Sequence, residues 1–303
     1  MRYVVTGAAG FIGSHLAETL LGAGHEVVGL DCFTDYYDPE LKRENARLLE
    51  VQRLDLAEDE LDFAGFDGVF HLAGQPGVRS FGDVFGLYLR RNVLASQRVF
   101  EAAALAGVKV VFASSSSVYG AAERYPTPED TPPRPLSPYG ITKLACEHLA
   151  SAYEREFELD CVVLRYFNAF GPRQRPDMAF TRIVNALAAG TQFDLFGDGE
   201  QSRGWTYVAD VVDGTIRAMA AGRGTFNVGG AIEASMNETI ALLEEISGRT
   251  LDVSRGPAVP GDQRRTNADT TRMRAELGWE PRVTLEDGLR AQWQWAAGRV
   301  GAL

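Results

Sequence analysis

The sequence predicts an α/β fold: a doubly wound parallel sheet with a smaller α/β C-terminal lobe. Three observations predict it. An apolar run, Tyr3-Val4-Val5-Thr6, meets a turn with glycines three apart at Gly7, Gly10 and Gly13, and a helical pattern follows without a break. Short apolar strands then alternate with helices through the first half, as parallel strands joined by crossover helices do. Gly7, Asp31, Asp55, Ala73, Ser115 and Tyr166 all fall where predicted strands end. In such sheets a ligand lies outside the carboxyl ends of the strands.

Taken in order, the glycine loop comes first. Gly7 suits the tight turn off the strand, Gly10 a close backbone approach to a diphosphate, and Gly13 the packing of helix on sheet. Backbone N–H groups and the helix dipole would hold the anion, which makes this a dinucleotide (Rossmann) site. Residues 14–21 continue as helix, ended by Gly22 and Gly24. Glu26-Val27-Val28-Gly29-Leu30 is a second buried strand, and Asp31 stands at its end, 18 residues past Gly13. A carboxylate there bonds a ribose 2′-OH and repels a 2′-phosphate, so NAD is favoured over NADP. A loop from Asp35 leads into a polar helix. Val51 to Leu54 is a short strand ending at Asp55, which could accept from an adenine amino group. Residues 68–74 form a buried strand containing His71, read as a strand residue rather than a catalyst. Residues 83–106 read as one long amphipathic helix holding Asn92, and residues 108–113 as a strand running into Ser114-Ser115-Ser116-Ser117.

A proline-rich loop, residues 125–138, precedes a helix from Tyr139 to about Phe157, and Cys161 to Arg165 is a further strand. Beyond it, residues 180–189 and 237–246 look helical, Phe193 to Phe196 precedes a Gly197-Asp198-Gly199 turn, and Thr225 to Val228 is placed to return to the main sheet. These readings divide the chain into a nucleotide-binding domain, residues 1–172 plus about 203–228, and a substrate lobe, about 173–202 plus 229–303. The tail after Ala296 reads as loose.

Composition narrows the function classes. With 303 residues and 45% hydrophobic content, the chain can bury a sizeable core. A net charge of −11 argues against general nucleic-acid binding, which needs a basic footprint. The three cysteines, Cys32, Cys146 and Cys161, form no CxxC pair and suit a reducing compartment without structural disulfides. The four scattered histidines show no metal-ligand spacing. The N-terminus already reads as a strand, so no signal peptide is expected, and no apolar run approaches the roughly 18 residues that would span a membrane. A cytoplasmic protein is the expectation.

The chemistry rests on Tyr139-x-x-x-Lys143. An i,i+4 pair shares one helix face, and a lysine ammonium beside a phenol favours the phenolate, which can act as a base. With a strand-end serine to bond the reacting hydroxyl, this is a site for oxidising a secondary alcohol beside NAD.

At these residues the chain resembles the extended short-chain dehydrogenase/reductase family, and within it the nucleotide-sugar 4-epimerases. The resemblance covers nearly the whole chain. It is anchored by the glycine loop, by Ser114 to Gly120, by Ser137-Pro138-Tyr139-Gly140-Ile141-Thr142-Lys143 and by Arg165-Tyr166-Phe167-Asn168. It implies Ser115, Tyr139 and Lys143 as the catalytic set. The NAD site it implies comprises Gly7, Gly10, Phe11, Ile12, Gly13, Asp31, Asp55, Leu56, Leu72, Ala73, Gln75, Asn92, Tyr139, Lys143 and Tyr166. It implies a UDP-sugar site from Arg79, Ser115, Ser116, Tyr139, Asn168, Arg175, Ala179, Phe180, Thr181, Phe193, Arg203, Asp262 and Arg265. Asn168 and Arg203 match diphosphate contacts, and Asp262 a uridine-ribose contact. Family 4,6-dehydratases carry an acid at the position of Ser117, so that activity is disfavoured. Gly204 and Cys32 depart from the family's usual Asp and Asn.

Three stretches resemble UDP-glucuronate 4-epimerases in particular: Asp35 to Lys42, Gln75 to Arg79, and Gly171 to Phe180. The resemblance places Arg175 near the sugar C6, where a guanidinium can hold a carboxylate by two parallel bonds. For a neutral C6 hydroxymethyl, Arg175 would be an uncompensated charge. Thr181 and Ser80 are expected nearby. The implied reaction is 4-epimerisation of UDP-glucuronate to UDP-galacturonate through a 4-keto sugar, with NAD retained. UDP-glucose 4-epimerase, UDP-glucuronate decarboxylase and a non-catalytic NAD-binding sensor are the alternatives. The helices at 83–106 and 139–157 resemble the family's four-helix dimer bundle, implying a homodimer.

Overall fold

The computed structural model describes residues 1–77, 82–230, 232–258 and 264–300. Six strands, β1 (Arg2–Thr6), β2 (Glu26–Asp31), β3 (Val51–Arg53), β4 (Gly68–His71), β5 (Val110–Ser115) and β6 (Cys161–Tyr166), join with Gly224–Val228 in one seven-stranded sheet. Every pairing in it is parallel, and the order is Gly224–Val228, β6, β5, β4, β1, β2, β3. The strand order reverses at β1, so the crevice beside the glycine loop is the switch point where ligands bind in such sheets. The return of Gly224–Val228 to the sheet edge matches the sequence expectation.

The strands are apolar on both faces because helices cover both. Val4, Val69, Val110 and Phe112 point to one core with Val99, Phe100, Cys146 and Ala150. Their neighbours Val5, Phe70 and Val111 point to the other, with Leu16, Leu20, Val212 and Trp279. Helices α1 (Phe11–Gly22), α2 (Pro39–Asn45), α3 (Phe85–Tyr88), α4 (Ala95–Ala106) and α5 (Pro138–Phe157) belong to this half of the chain. A third core joins Phe170, Phe180, Ile183, Phe193, Leu195, Leu243, Leu289 and Ala296 in the C-terminal half. No helix among the described residues is long and apolar enough to cross a membrane.

Two expectations are corrected. The single helix over 83–106 is broken: a 3₁₀ turn (Gly82–Val84) and α3 lead into a π-helical stretch, Leu89–Leu94, before α4 begins. The π stretch carries Asn92, whose buried amide grips the Gln75 backbone. Apolar periodicity cannot register that demand. Nor are the described residues of the tail after Ala296, 297–300, loose. A helix runs Leu285–Val300, Ala296 is buried, and Arg299 Nη2 reaches Glu44 Oε2 of α2 at 2.6 Å.

Candidate active site

The glycine loop builds the floor of a cleft at the strand ends. Gly7 has φ +70°, and a Cβ on Gly13 would lie 2.1 Å from the Gly7 carbonyl, so α1 sits on the turn at a distance only glycine permits. Gly10 is the N-cap of α1 and offers no side chain there. The turn is pinned to β2 by Gly7 N donating to Leu30 O at 2.8 Å. Asp31 Oδ2 accepts from Ala9 N at 3.1 Å and Oδ1 from Phe33 N at 2.8 Å. Burial pushes the Asp31 carboxyl up, against those backbone donors and the nearby Lys42 charge. Lys42 is buried, bonded to Thr34 O at 2.7 Å and Thr34 Oγ1 at 2.8 Å, and burial pushes its ammonium down.

Of the residues expected to hold a dinucleotide, Gly7, Gly10, Phe11, Ile12, Gly13, Asp31, Asp55, Leu56, Leu72, Ala73, Gln75, Tyr139, Lys143 and Tyr166 all line this cleft. The bare amide loop, the strand-end carboxylate and the apolar walls fit the diphosphate, ribose and ring parts of NAD. Asn92 stands behind the wall. Its Oδ1 accepts from Gln75 N at 2.6 Å, and its Nδ2 donates to Gln75 O at 3.2 Å and to Thr142 Oγ1 at 3.0 Å. It positions the β4 exit loop against α5. Tyr166 presents its ring, since its hydroxyl pairs with Thr215 Oγ1 at 2.7 Å.

Ser137 caps α5, accepting from Gly140 N at 3.1 Å, with Pro138 in the first turn. This sets Tyr139 and Lys143 one turn apart, both opening on the cleft. Lys143 is buried, its Nζ donating to Ala113 O at 2.8 Å and lying 5.9 Å from the Tyr139 ring centroid. Ser115 ends β5 directly beside Tyr166 of β6. Its Oγ accepts from Ser117 N and donates to Ser117 Oγ, both at 3.1 Å. Ser115 and Ser116 are half-buried and lie outside the cleft lining, whereas Ser114 is buried and bonded to Glu147. His71 is wholly buried between Thr6 Oγ1 and Ser96 Oγ, at 2.7 and 2.9 Å.

Arg175 also lines the cleft, with Tyr36 and Tyr37. Its charge is not uncompensated, contrary to the expectation. Nε donates to Asp177 Oδ1 and Nη2 to Asp177 Oδ2, each at 3.0 Å. Burial disfavours the guanidinium, but the Asp177 bonds prevail and hold it protonated.

A second group forms around the sheet of Ser202–Gly204, Glu233–Ser235 and Arg265–Thr266. Arg203 pairs in register with Thr266, and Asn168 Nδ2 donates to Thr266 Oγ1 at 2.8 Å, which brings Asn168 to that strand pair, whereas Arg265 pairs in register with Ser202 and so presents its side chain on the other face. Arg265 is paired with Glu233 at 2.7 Å. Phe180 stacks on Trp205 with ring centroids 4.1 Å apart, and Phe193 is buried under Arg182; both side chains are core. Thr181 is a further correction: its hydroxyl is buried against Gln174 O at 3.0 Å, so the Gln174 turn has already taken it. Ala179 starts helix Ala179–Ala189. Arg79, Ser80 and Asp262 lie outside the described residues.

Residues 3–229 match the NAD dependent epimerase/dehydratase family. The chain belongs to that family. It is 40% identical to UDP-glucose 4-epimerase of Mycolicibacterium smegmatis, over 95% of this chain and 96% of that one. It is 33% identical to UDP-glucuronate 4-epimerase of Thermodesulfobacterium geofontis, over 97% and 95% of the two chains. Among solved structures, UDP-glucuronic acid 4-epimerase from Bacillus cereus in complex with UDP-glucuronic acid and NAD superposes with a TM-score of 0.94, at 38% identity, over 99% of this chain and 100% of that one.

Several wall residues of this epimerase/dehydratase-family cleft were missed from sequence: Tyr36, Tyr37, Lys42, Gly74 and Arg91. Lys42 read as part of a polar helix, and its nearness to Asp31 in space reveals its place. Tyr37 lies under Lys42 Nζ at 4.8 Å, and burial pushes its phenol up to about 12. A signal existed for Tyr36, Tyr37 and Lys42, since all three belong to one of the stretches resembling glucuronate epimerases.

Proposed function

We propose that this protein catalyses NAD-dependent 4-epimerisation of a UDP-sugar, converting UDP-glucuronate to UDP-galacturonate through a 4-keto intermediate. One observation carries the reading: Tyr139, Lys143 and Arg175 open on the same cleft as the glycine loop and Asp31. NAD, when bound, supplies a hydride acceptor that also returns the hydride. Tyr139 takes the proton of the sugar 4-OH and gives it back after the keto sugar has turned about its diphosphate. Lys143 holds the positive charge that favours the phenolate. Ser115 bonds the reacting oxygen. Arg175 binds the C6 carboxylate and turns it away from the alignment in which a β-keto acid loses carbon dioxide. Asn168, Arg203 and Arg265 receive the diphosphate, with Asp262 on the uridine ribose. Residues 1–172 plus about 203–228 serve the cofactor, and about 173–202 plus 229–303 the sugar nucleotide.

The protein acts as a cytoplasmic homodimer. Free Cys32, Cys146 and Cys161 support a reducing setting. The exposed apolar side chains Leu87, Leu89 and Leu94 before α4, with Ile141 and Phe157 on α5, support helix-to-helix pairing of two copies.

NMR of the product from UDP-glucuronate tests the reading. UDP-galacturonate is expected, with no accumulation of reduced cofactor; UDP-xylose or unchanged substrate would overturn it. Tyr139→Phe should lower kcat by about 10²–10⁴-fold, the range of one acid–base group, while UDP-glucuronate still binds.

A further inference from the structure

Helix α5 carries Tyr139 and Lys143 on its first two turns and a buried ion pair on its third. Glu147 follows Lys143 by the same four-residue step that separates Lys143 from Tyr139. Its carboxylate is held side-on by Arg165 of β6, Nε donating to Oε1 at 3.0 Å and Nη2 to Oε2 at 2.7 Å. Ser114 Oγ of β5 donates to the same Oε1. The third guanidinium nitrogen, Nη1, donates to Tyr119 OH at 2.8 Å and to Glu129 O at 3.1 Å. Tyr119 OH donates in turn to Asn227 Oδ1 at 2.7 Å. The side chains of Arg165 and Glu147 are 8% and 9% exposed, so both charges are desolvated.

Such a pair adds little stability, because taking two charges out of water offsets most of their attraction, and apolar side chains of like volume serve as well. What it supplies is direction. Cys146 and Ala150, which pack α5 on the sheet, are small, and apolar contact is non-directional. A carboxylate fixed by three donors from two adjacent strands allows one height and one rotation of the helix. Ser114 and Arg165 face one another in register, and the next pair along is Ser115 and Tyr166. The clamp thus stands one residue behind the strand ends that meet the cleft. A rotation of α5 by about 10° would move an atom on its surface, about 5–6 Å from the axis, by about 1 Å. A displacement of about 1 Å at a reacting group can cost about 10²-fold in rate.

We propose that Glu147 and Arg165 are positioning residues: by fixing the rotation of α5 on the sheet, they set Tyr139 and Lys143 against Ser115. It rests on the reading above of Tyr139 and Lys143 as the proton-transfer pair. Neither Glu147 nor Arg165 lines the cleft, so each acts through the helix and not on substrate or cofactor. Tyr119, itself held by Asn227, braces the guanidinium from the far side.

The test compares the NAD-loaded wild-type protein with two variants, on UDP-glucuronate and well below Tm. Glu147→Leu with Arg165→Met removes both charges and keeps an apolar fill. Arg165→Lys keeps both charges but cannot make the two parallel bonds. In each, kcat should fall about 10–100-fold, while the KM and calorimetric Kd for UDP-glucuronate stay within about threefold and NAD content is unchanged. A pair that only supports the fold would leave the kcat of the folded double variant at the wild-type value, and that result overturns the proposal. So does a fall in kcat matched by loss of NAD or of UDP-glucuronate binding, which would place the pair behind the cleft as a whole. Wild-type kcat in Arg165→Lys beside a fall in the double variant would show that charge and not position matters, and overturns it too. If melting shows the double variant to be unfolded, Arg165→Lys decides alone. Tyr139→Phe, run alongside, separates the two readings. Undiminished kcat there removes Tyr139 from the chemistry and this proposal with it; lost kcat there, beside wild-type kcat in the double variant, fails the proposal alone.

Discussion

At the scale of single residues, one histidine of the cofactor half shows how burial sets chemistry. His71 lies one strand from the Thr6-Gly7 turn, and burial, then the Lys143 charge, push its imidazole down to about 3. It is a neutral strut rather than an acid or base, as the sequence reading had it. The consequence is a pH dependence of stability. The unfolded chain takes up a proton on this side chain near pH 6.5, whereas the folded chain does not until about 3. Between those values the unfolded state binds more protons, so stability falls as pH falls, by about 2 kcal/mol at pH 5. Urea unfolding at pH 7 and pH 5 should show that loss in the wild-type protein and a markedly smaller one in His71→Gln. Equal losses in the two would place the acid sensitivity elsewhere.

The element that carries Tyr139 is the first turn of α5. That a helix begins at Tyr139 could be read from the sequence. The reason for Gly140 could not. A Cβ there would stand 2.5 Å from the Ser117 carbonyl, so glycine lets the turn bearing Tyr139 close on the turn that holds Ser115. Gly140→Ala sets a helix-propensity gain of about 1 kcal/mol against an overpacking cost of about 1–3 kcal/mol, and the backbone clash should win. We expect a lower Tm and a larger fall in kcat than in NAD content, because Tyr139 moves relative to Ser115 while the glycine loop does not. Undiminished kcat would show that this approach is not needed for the chemistry. The π-helical stretch around Asn92 is the same kind of feature. The apolar pattern announced a helix there, and the stretch that carries the buried Asn92 amide is π-helical.

For the whole molecule, the parallel sheet gathers residues from across the chain into one cleft, and several of the exposed apolar residues belong to the segment around α3 and to α5. Leu94 and Ile141 are 45% and 48% exposed in the single chain. If two copies cover that face, Leu94→Arg with Ile141→Arg should halve the mass found by sedimentation. A wild-type protein that already sediments at the mass of one chain would refute the pairing.

The fold and the cofactor end were legible in the sequence because local physics dictates both. Apolar runs buried on two faces make parallel strands, and glycines three apart make a turn that only a close-packed helix and a bound anion explain. The Tyr139/Lys143 face follows from helical spacing alone. What tertiary structure decided are the long-range pairings that no local period encodes. Asn92 turned from the cleft to the Gln75 backbone, Thr181 was taken by Gln174, and Lys42 was buried beside Asp31. Above all, Arg175 was compensated by Asp177, itself held by Tyr36. The resemblance placed a cation at the sugar; only the folded chain showed that its charge is already paired, with Asp177.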